Sequence, residues 1–131
     1  MKYIVFLLLR LTLGLALPAI WLICHSSSTI RHFLLKFNLD TGSTVNVLPY
    51  TLGLKLGAVW EQQATFVRLT GNLASVEARA LIVTAIVSTF DPVRLAFAWT
   101  RAENVPLILG QVNFFLEFDV CFFRSKKFFE V

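Results

Sequence analysis

The chain has 131 residues, enough for one compact domain and too few for two catalytic lobes. Apolar residues make up 56% of it and the net charge is only +4, with the basic residues scattered apart from Arg124, Lys126 and Lys127, which read as a hairpin loop. With neither a basic stripe nor aromatics interleaved with basic residues, nucleic-acid binding is not expected.

From Tyr3 to Cys24 the chain is almost wholly apolar, broken by Arg10, Thr12, Gly14 and Pro18. A membrane span needs about 20 such residues with few or no charges, so residues 3–24 can be read as a membrane segment or a signal anchor, although a charge at Arg10 is costly in lipid. The competing reading makes residues 1–18 an apolar extension and starts a β domain at residue 19, with Ala19 to Ile23 as its first strand and a turn at Ser26-Ser27-Ser28. Localisation stays open between the cytoplasm and a membrane anchored by this segment. Cys24 and Cys121 lie in apolar surroundings and read as buried free thiols, while His25 and His32 have no carboxylate or Cys partner at a suitable offset; neither a metal nor another cofactor is expected.

Beyond the serines, short apolar runs alternate with turn residues, the pattern of a β sandwich or barrel. The strands expected are Thr29 to Leu39, Thr44 to Val47, Ala58 to Glu61, Ala64 to Leu69, Leu73 to Ser88, Val93 to Thr100, Val105 to Leu109, Glu117 to Phe123 and Phe128 to Val131. Thr70-Gly71-Asn72 and Asp91-Pro92 are turn signals. Two short helices are expected: one from Pro49 through Leu56, ended by Gly57 in the left-handed conformation, and one over Gln111 to Leu116.

One stretch carries chemistry: the apolar run Phe37-Asn38-Leu39 leads into Asp40-Thr41-Gly42-Ser43 and resumes at Val45-Asn46-Val47-Leu48-Pro49. Asp-Thr-Gly alone is also a good turn tripeptide. Here it has an apolar strand on each side, a helix start at Pro49, and Ile108-Leu109-Gly110 followed by a short helix near the C-terminus. In these features the chain resembles the retropepsin-like aspartic proteases, and Phe114 to Val120 is similar to the closing helix and strand of their bacterial members. The resemblance covers roughly residues 19–131.

That resemblance implies a small closed β barrel or sandwich with one or two short helices, active as a two-fold homodimer, with no cofactor. It implies that Asp40 is the catalytic carboxylate, that Thr41 locks the loop to its symmetry mate, and that the Ser43 hydroxyl supports the carboxylate. Gly42 allows close backbone approach. Asp91 and Asp119 precede Pro and Val, so neither supplies a second catalytic loop, and the second Asp40 has to come from another copy. Ile108, Leu109 and Gly110 form the second signature, and Gln111 stands where retroviral members commonly have an Arg that braces the active-site loop. The hairpin from Phe66 through Gly71 to Glu77 matches the family's flap, with Leu69, Thr70, Gly71 and Asn72 at the substrate. The expected activity is an aspartic endopeptidase acting on peptide or protein substrates. The alternatives are a catalytically silent dimer that only grips peptides and a membrane-tethered small β protein.

Overall fold

The computed structural model describes residues 2–4, 20–24, 37–87, 90–102, 104–123 and 128–130. Its body is mostly β, a six-stranded mixed sheet with two short helices. Those strands are β3 (Phe37–Asp40), β4 (Asn46–Pro49), β5 (Phe66–Val67), β6 (Ala78–Val87), β7 (Val93–Thr100) and β8 (Leu107–Leu109). Among the described residues, β1 (Lys2–Ile4) extends the sheet beside β3 and β2 (Ile20–Cys24) extends it beside β6. The order is β1-β3-β8-β4-β7-β6-β2, with β5 also on β6. β9 (Cys121–Phe123) and β10 (Phe128–Glu130) form a separate antiparallel hairpin.

The sheet is open, which corrects the expectation of a closed barrel or sandwich. Its end strands do not pair with each other, and closure requires strands long enough to tilt and stagger against their neighbours. β4 and β8 have four and three residues. The strand expected over Ala19 to Ile23 corresponds to β2. The turn at residues 26–28, the segment 5–19 and most of the Thr29 to Leu39 run lie outside the described residues. Among the described residues, no helix is long and apolar enough to cross a membrane.

The period-two pattern of a strand explains which face is buried. On β7, Leu95, Phe97 and Trp99 point to one face and are at most 1% exposed. They join Phe37 and Leu39 of β3, Leu48 of β4, Leu81 and Val83 of β6, and Leu107 and Leu109 of β8 in the main core. That face is covered by Leu52 of α1 (Tyr50–Lys55) and the capping Leu56 after it, by Trp60, and by Phe114 of α2 (Phe114–Glu117) with the following Phe118. The opposite face carries a smaller cluster of Val47, Ala78, Ala98 and Ile108, covered by Leu69. This second layer explains why Ala98 is buried while Ala96, beyond its reach on the same face, is exposed.

Helix α1 is fastened by aromatic packing. Tyr50 stacks on Trp99 at 5.5 Å between centroids, Trp60 meets Trp99 edge-on at 5.1 Å, and the Trp99 indole N–H donates to the Tyr50 carbonyl at 3.1 Å. Gly53 makes this approach feasible, because a Cβ there would lie 2.3 Å from the Trp99 ring. The helix ends as expected at Gly57, whose φ is 85°. The Gly57 N–H donates to Leu54 and the Ala58 N–H to Gly53, so the last carbonyls are satisfied by a Schellman motif.

Several expected elements differ. Ala58 to Glu61 is not a strand: the chain turns through a 3₁₀ helix at Trp60–Gln62, because Trp60 is drawn into the core against Trp99. Leu73 to Glu77 is likewise not a strand: Leu73 ends a 3₁₀ helix at Gly71–Leu73, a turn follows from Ala74, and the long strand begins only at Ala78. Helix α2 begins at Phe114 and not Gln111, because Gln111 and Val112 run alongside the loop after Asp40, their N–H groups donating to the carbonyls of Ser43 and Thr44 and Val112 bridging to Val45. Cys121, expected to be a buried thiol, is exposed.

Gly53→Ala is expected to destabilise the fold by about 1–3 kcal/mol through overpacking against Trp99, outweighing a gain of about 1 kcal/mol in helix propensity. Urea unfolding with near-UV circular dichroism as the second probe measures it; equal or higher stability contradicts the packing argument.

Candidate functional site

β8 lies between β3 and β4, parallel to β3 and antiparallel to β4. The connection from Asp40 to Asn46 must therefore cross the end of β8, spanning two strand spacings, or about 10 Å. It crosses at Gly110. A Cβ on Gly110 would lie 2.5 Å from the Val45 carbonyl oxygen and 2.7 Å from that of Ser43, so a side chain is excluded by backbone, which cannot rotate away. Beyond the crossing, the Gln111 N–H donates to the Ser43 carbonyl at 2.9 Å and the Val112 N–H to that of Thr44 at 2.8 Å. The two signature segments thus form one hydrogen-bonded unit.

Asp40 is the last residue of β3. In the sheet, Asn38 is paired with Ile108, so by alternation Asp40 shares the face that carries the smaller apolar cluster. Its carbonyl accepts the Ser43 N–H at 3.1 Å, closing a four-residue turn, and its Oδ1 accepts the Gly42 N–H at 2.9 Å. The side chain therefore organises its own turn, as Asx turns do. Asp40 is half-buried, whereas Thr41 and Gly42 are exposed. The turn stands at the surface of the single chain, with its carboxylate held from one side.

Gln111 supplies a brace: its side-chain amide donates to the Thr41 carbonyl. Ser43 bonds within its own loop. Its hydroxyl donates to the Val45 carbonyl at 2.7 Å, and a hydroxyl has one proton to give, so within the chain it tightens the loop and does not donate to Asp40.

The residues expected to form a flap differ from one another in burial. β5 and β6 pair over only two positions, Phe66 with Arg79 and Val67 with Ala78. The intervening loop turns at Gly71, where φ is 62°. Thr70, Gly71 and Asn72 are exposed, but Leu69 is 4% exposed and packs into the smaller apolar cluster with Val67 and Leu73. Leu69 therefore anchors the arm to the sheet, while its three neighbours form the free edge.

Two residues escaped sequence reading. Asn46 is fully buried, and its side chain meets Gly110, Ala96 and Asn113. Asn113 also bonds to the backbone of β7 at Ala96 and Arg94. The available signal was an amide interrupting the apolar run Val45-Asn46-Val47-Leu48. A cleft of about 650 Å³ between the start of α1 and the segment Arg101 to Val105 is a separate feature, since none of its lining residues belongs to the Asp40 loop or the Gly110 segment.

No protein-family model, no curated protein and no solved structure matches this chain.

Gly110→Ala is expected to cost about 1–3 kcal/mol, since one of two backbone segments must shift. Hydrogen exchange of the Gln111 and Val112 amides should accelerate together in this variant; unchanged protection at both contradicts the crossing described above.

Proposed function

We propose that two copies of this chain form an aspartic endopeptidase, with one Asp40 from each copy on the two-fold axis. The observation that carries the reading is the surface-exposed Asp40 turn, locked crosswise to the segment after Gly110. A carboxylate used for proton transfer has to be accessible to substrate and fixed in direction, and this turn meets both demands. One chain supplies one such group, and exposed Thr41 and Gly42 leave room for an identical turn to approach.

In that assembly the two carboxylates share one proton, because like charges at close range do not both ionise. The ionised Asp40 takes a proton from a bound water as the oxygen attacks the peptide carbonyl carbon. The protonated Asp40 of the other copy gives its proton to the carbonyl oxygen. In collapse of the resulting diol, the first Asp40 gives the proton taken from water to the amide nitrogen, the second takes a proton from a diol hydroxyl as the C=O bond re-forms, and the C–N bond breaks, which returns the pair to one shared proton. The exposed edge Thr70-Gly71-Asn72 is assigned to covering an extended substrate by backbone pairing.

Asp40→Asn and Asp40→Ala should lower the cleavage of a denatured protein at mildly acid pH by at least about 10²-fold, the scale of losing a general acid or base, with dimer mass unchanged. Pepstatin should inhibit the unsubstituted protein. Full activity in Asp40→Ala, or proteolysis by a monomer, overturns the reading; peptide binding without turnover identifies a silent binding dimer instead.

A further inference from the structure

We infer that Asn46 is a positioning residue for the Asp40 loop, setting the height of Gly110 beneath it; this rests on the peptidase reading above. Its side chain is 0% exposed and reaches three separate segments. Oδ1 accepts the Gly110 N–H at 2.8 Å, while Nδ2 donates to the Ala96 carbonyl at 3.0 Å and to Asn113 Oδ1 at 3.3 Å. Asn113 accepts the Ala96 N–H at 3.1 Å and donates to the Arg94 carbonyl at 2.9 Å.

The placement explains why an amide is needed. Parallel pairing of β4 with β7 begins at Asn46 and Phe97, so the β7 groups at Arg94 and Ala96 lie just before β4 can serve them. The two amides replace that missing backbone, and each supplies a donor and an acceptor on one planar group. Asn46 spends its acceptor on Gly110 and its donors on β7 and Asn113. It thereby ties the crossing point to a strand in the middle of the sheet.

The consequence reaches Asp40 through short steps. Gly110 is pressed against the carbonyls of Ser43 and Val45, and the next two N–H groups hold Ser43 and Thr44. A shift of Gly110 moves the loop that carries the carboxylate. Asn46 has no hydrogen bond to Asp40 and lies beneath the loop, so its loss should disturb the geometry of the reacting groups more than substrate affinity.

The test compares Asn46→Ala, Asn113→Ala and, as a destabilised control away from the loop, Val83→Ala, a fully buried residue of β6. Folding is checked by circular dichroism and melting temperature, and assembly by sedimentation at assay concentration. For folded, dimeric Asn46→Ala the expected result is a kcat lower by about 100-fold, the scale of a misplaced reacting group, with KM within about threefold. Asn113→Ala should show a smaller fall, about tenfold, because Asn46 keeps its bonds to Gly110 and Ala96. Val83→Ala should lower the melting temperature without changing kcat per folded dimer.

An Asn46→Ala dimer with unchanged kcat overturns the inference, as does an equal fall in kcat for Val83→Ala. Where Asn46→Ala does not fold, a lowered melting temperature with unchanged kcat in Asn113→Ala overturns it, and a lower kcat at constant KM supports it. Absence of Asp40-dependent cleavage in the unsubstituted protein is a distinct result, which removes the peptidase reading and this inference together.

Discussion

The structure depends on one crossing. β8 enters between β3 and β4, and the loop joining those two strands passes directly over its end. Backbone lies against backbone there, with room for no Cβ at Gly110. The close approach lets the N–H groups after Gly110 reach the carbonyls of Ser43 and Thr44, which would otherwise be unpaired in a loop. The same contact delays the start of α2 and holds the turn on which Asp40 sits.

The two faces of the sheet do different work around this crossing. The larger apolar layer, with Trp99, Phe97 and Phe114 fully buried, provides most of the area removed from water and fastens both helices. The smaller layer lies on the face shared with Asp40 and is covered by an arm anchored through Leu69. Between the strands, two amides handle the polar groups that the sheet ladder leaves over. Net hydrogen-bond contributions are about 1 kcal/mol each, whereas leaving a buried donor or acceptor unpaired costs about 1–3 kcal/mol. The Asn46 and Asn113 network therefore matters more for what its loss would expose than for what its presence adds.

Arg79 and Arg101 illustrate how the periphery is held without strong ion pairs. Each guanidinium lies 4.8 Å from the Trp60 ring, and Arg79 also donates to the Trp60 and Gln63 carbonyls. Their carboxylate contacts are longer and exposed, 3.5 Å to Glu77 and 3.6 Å to Glu61, where salt bridges contribute little. The aromatic cluster thus joins α1, the turn at Trp60 and β7 through packing, cation–π contact and backbone hydrogen bonds.

Local patterns alone identified the strand Val93 to Thr100, the helix after Pro49 and its end at Gly57, because alternation, a fixed proline φ and a left-handed glycine act over a few residues. Asp40 to Ser43 and Ile108 to Gly110 stood out through resemblance to a family and not through local pattern; the structure brings the two segments against each other at Gly110. What local patterns could not reveal was settled by contacts between residues far apart in sequence. Trp60 bends an apparently extended segment because Trp99, 39 positions on, offers it a buried face; Gln111 and Val112 stay out of the helix because they are bridged to the segment from Ser43 to Val45. The openness of the sheet, the hydroxyl of Ser43 turned to Val45, the burial of Leu69 and the hydrogen bonds of buried Asn46 belong to the same class. A pattern of residue types records the preference of each segment, but a buried hydrogen bond or a ring contact exists only once both partners have been brought together.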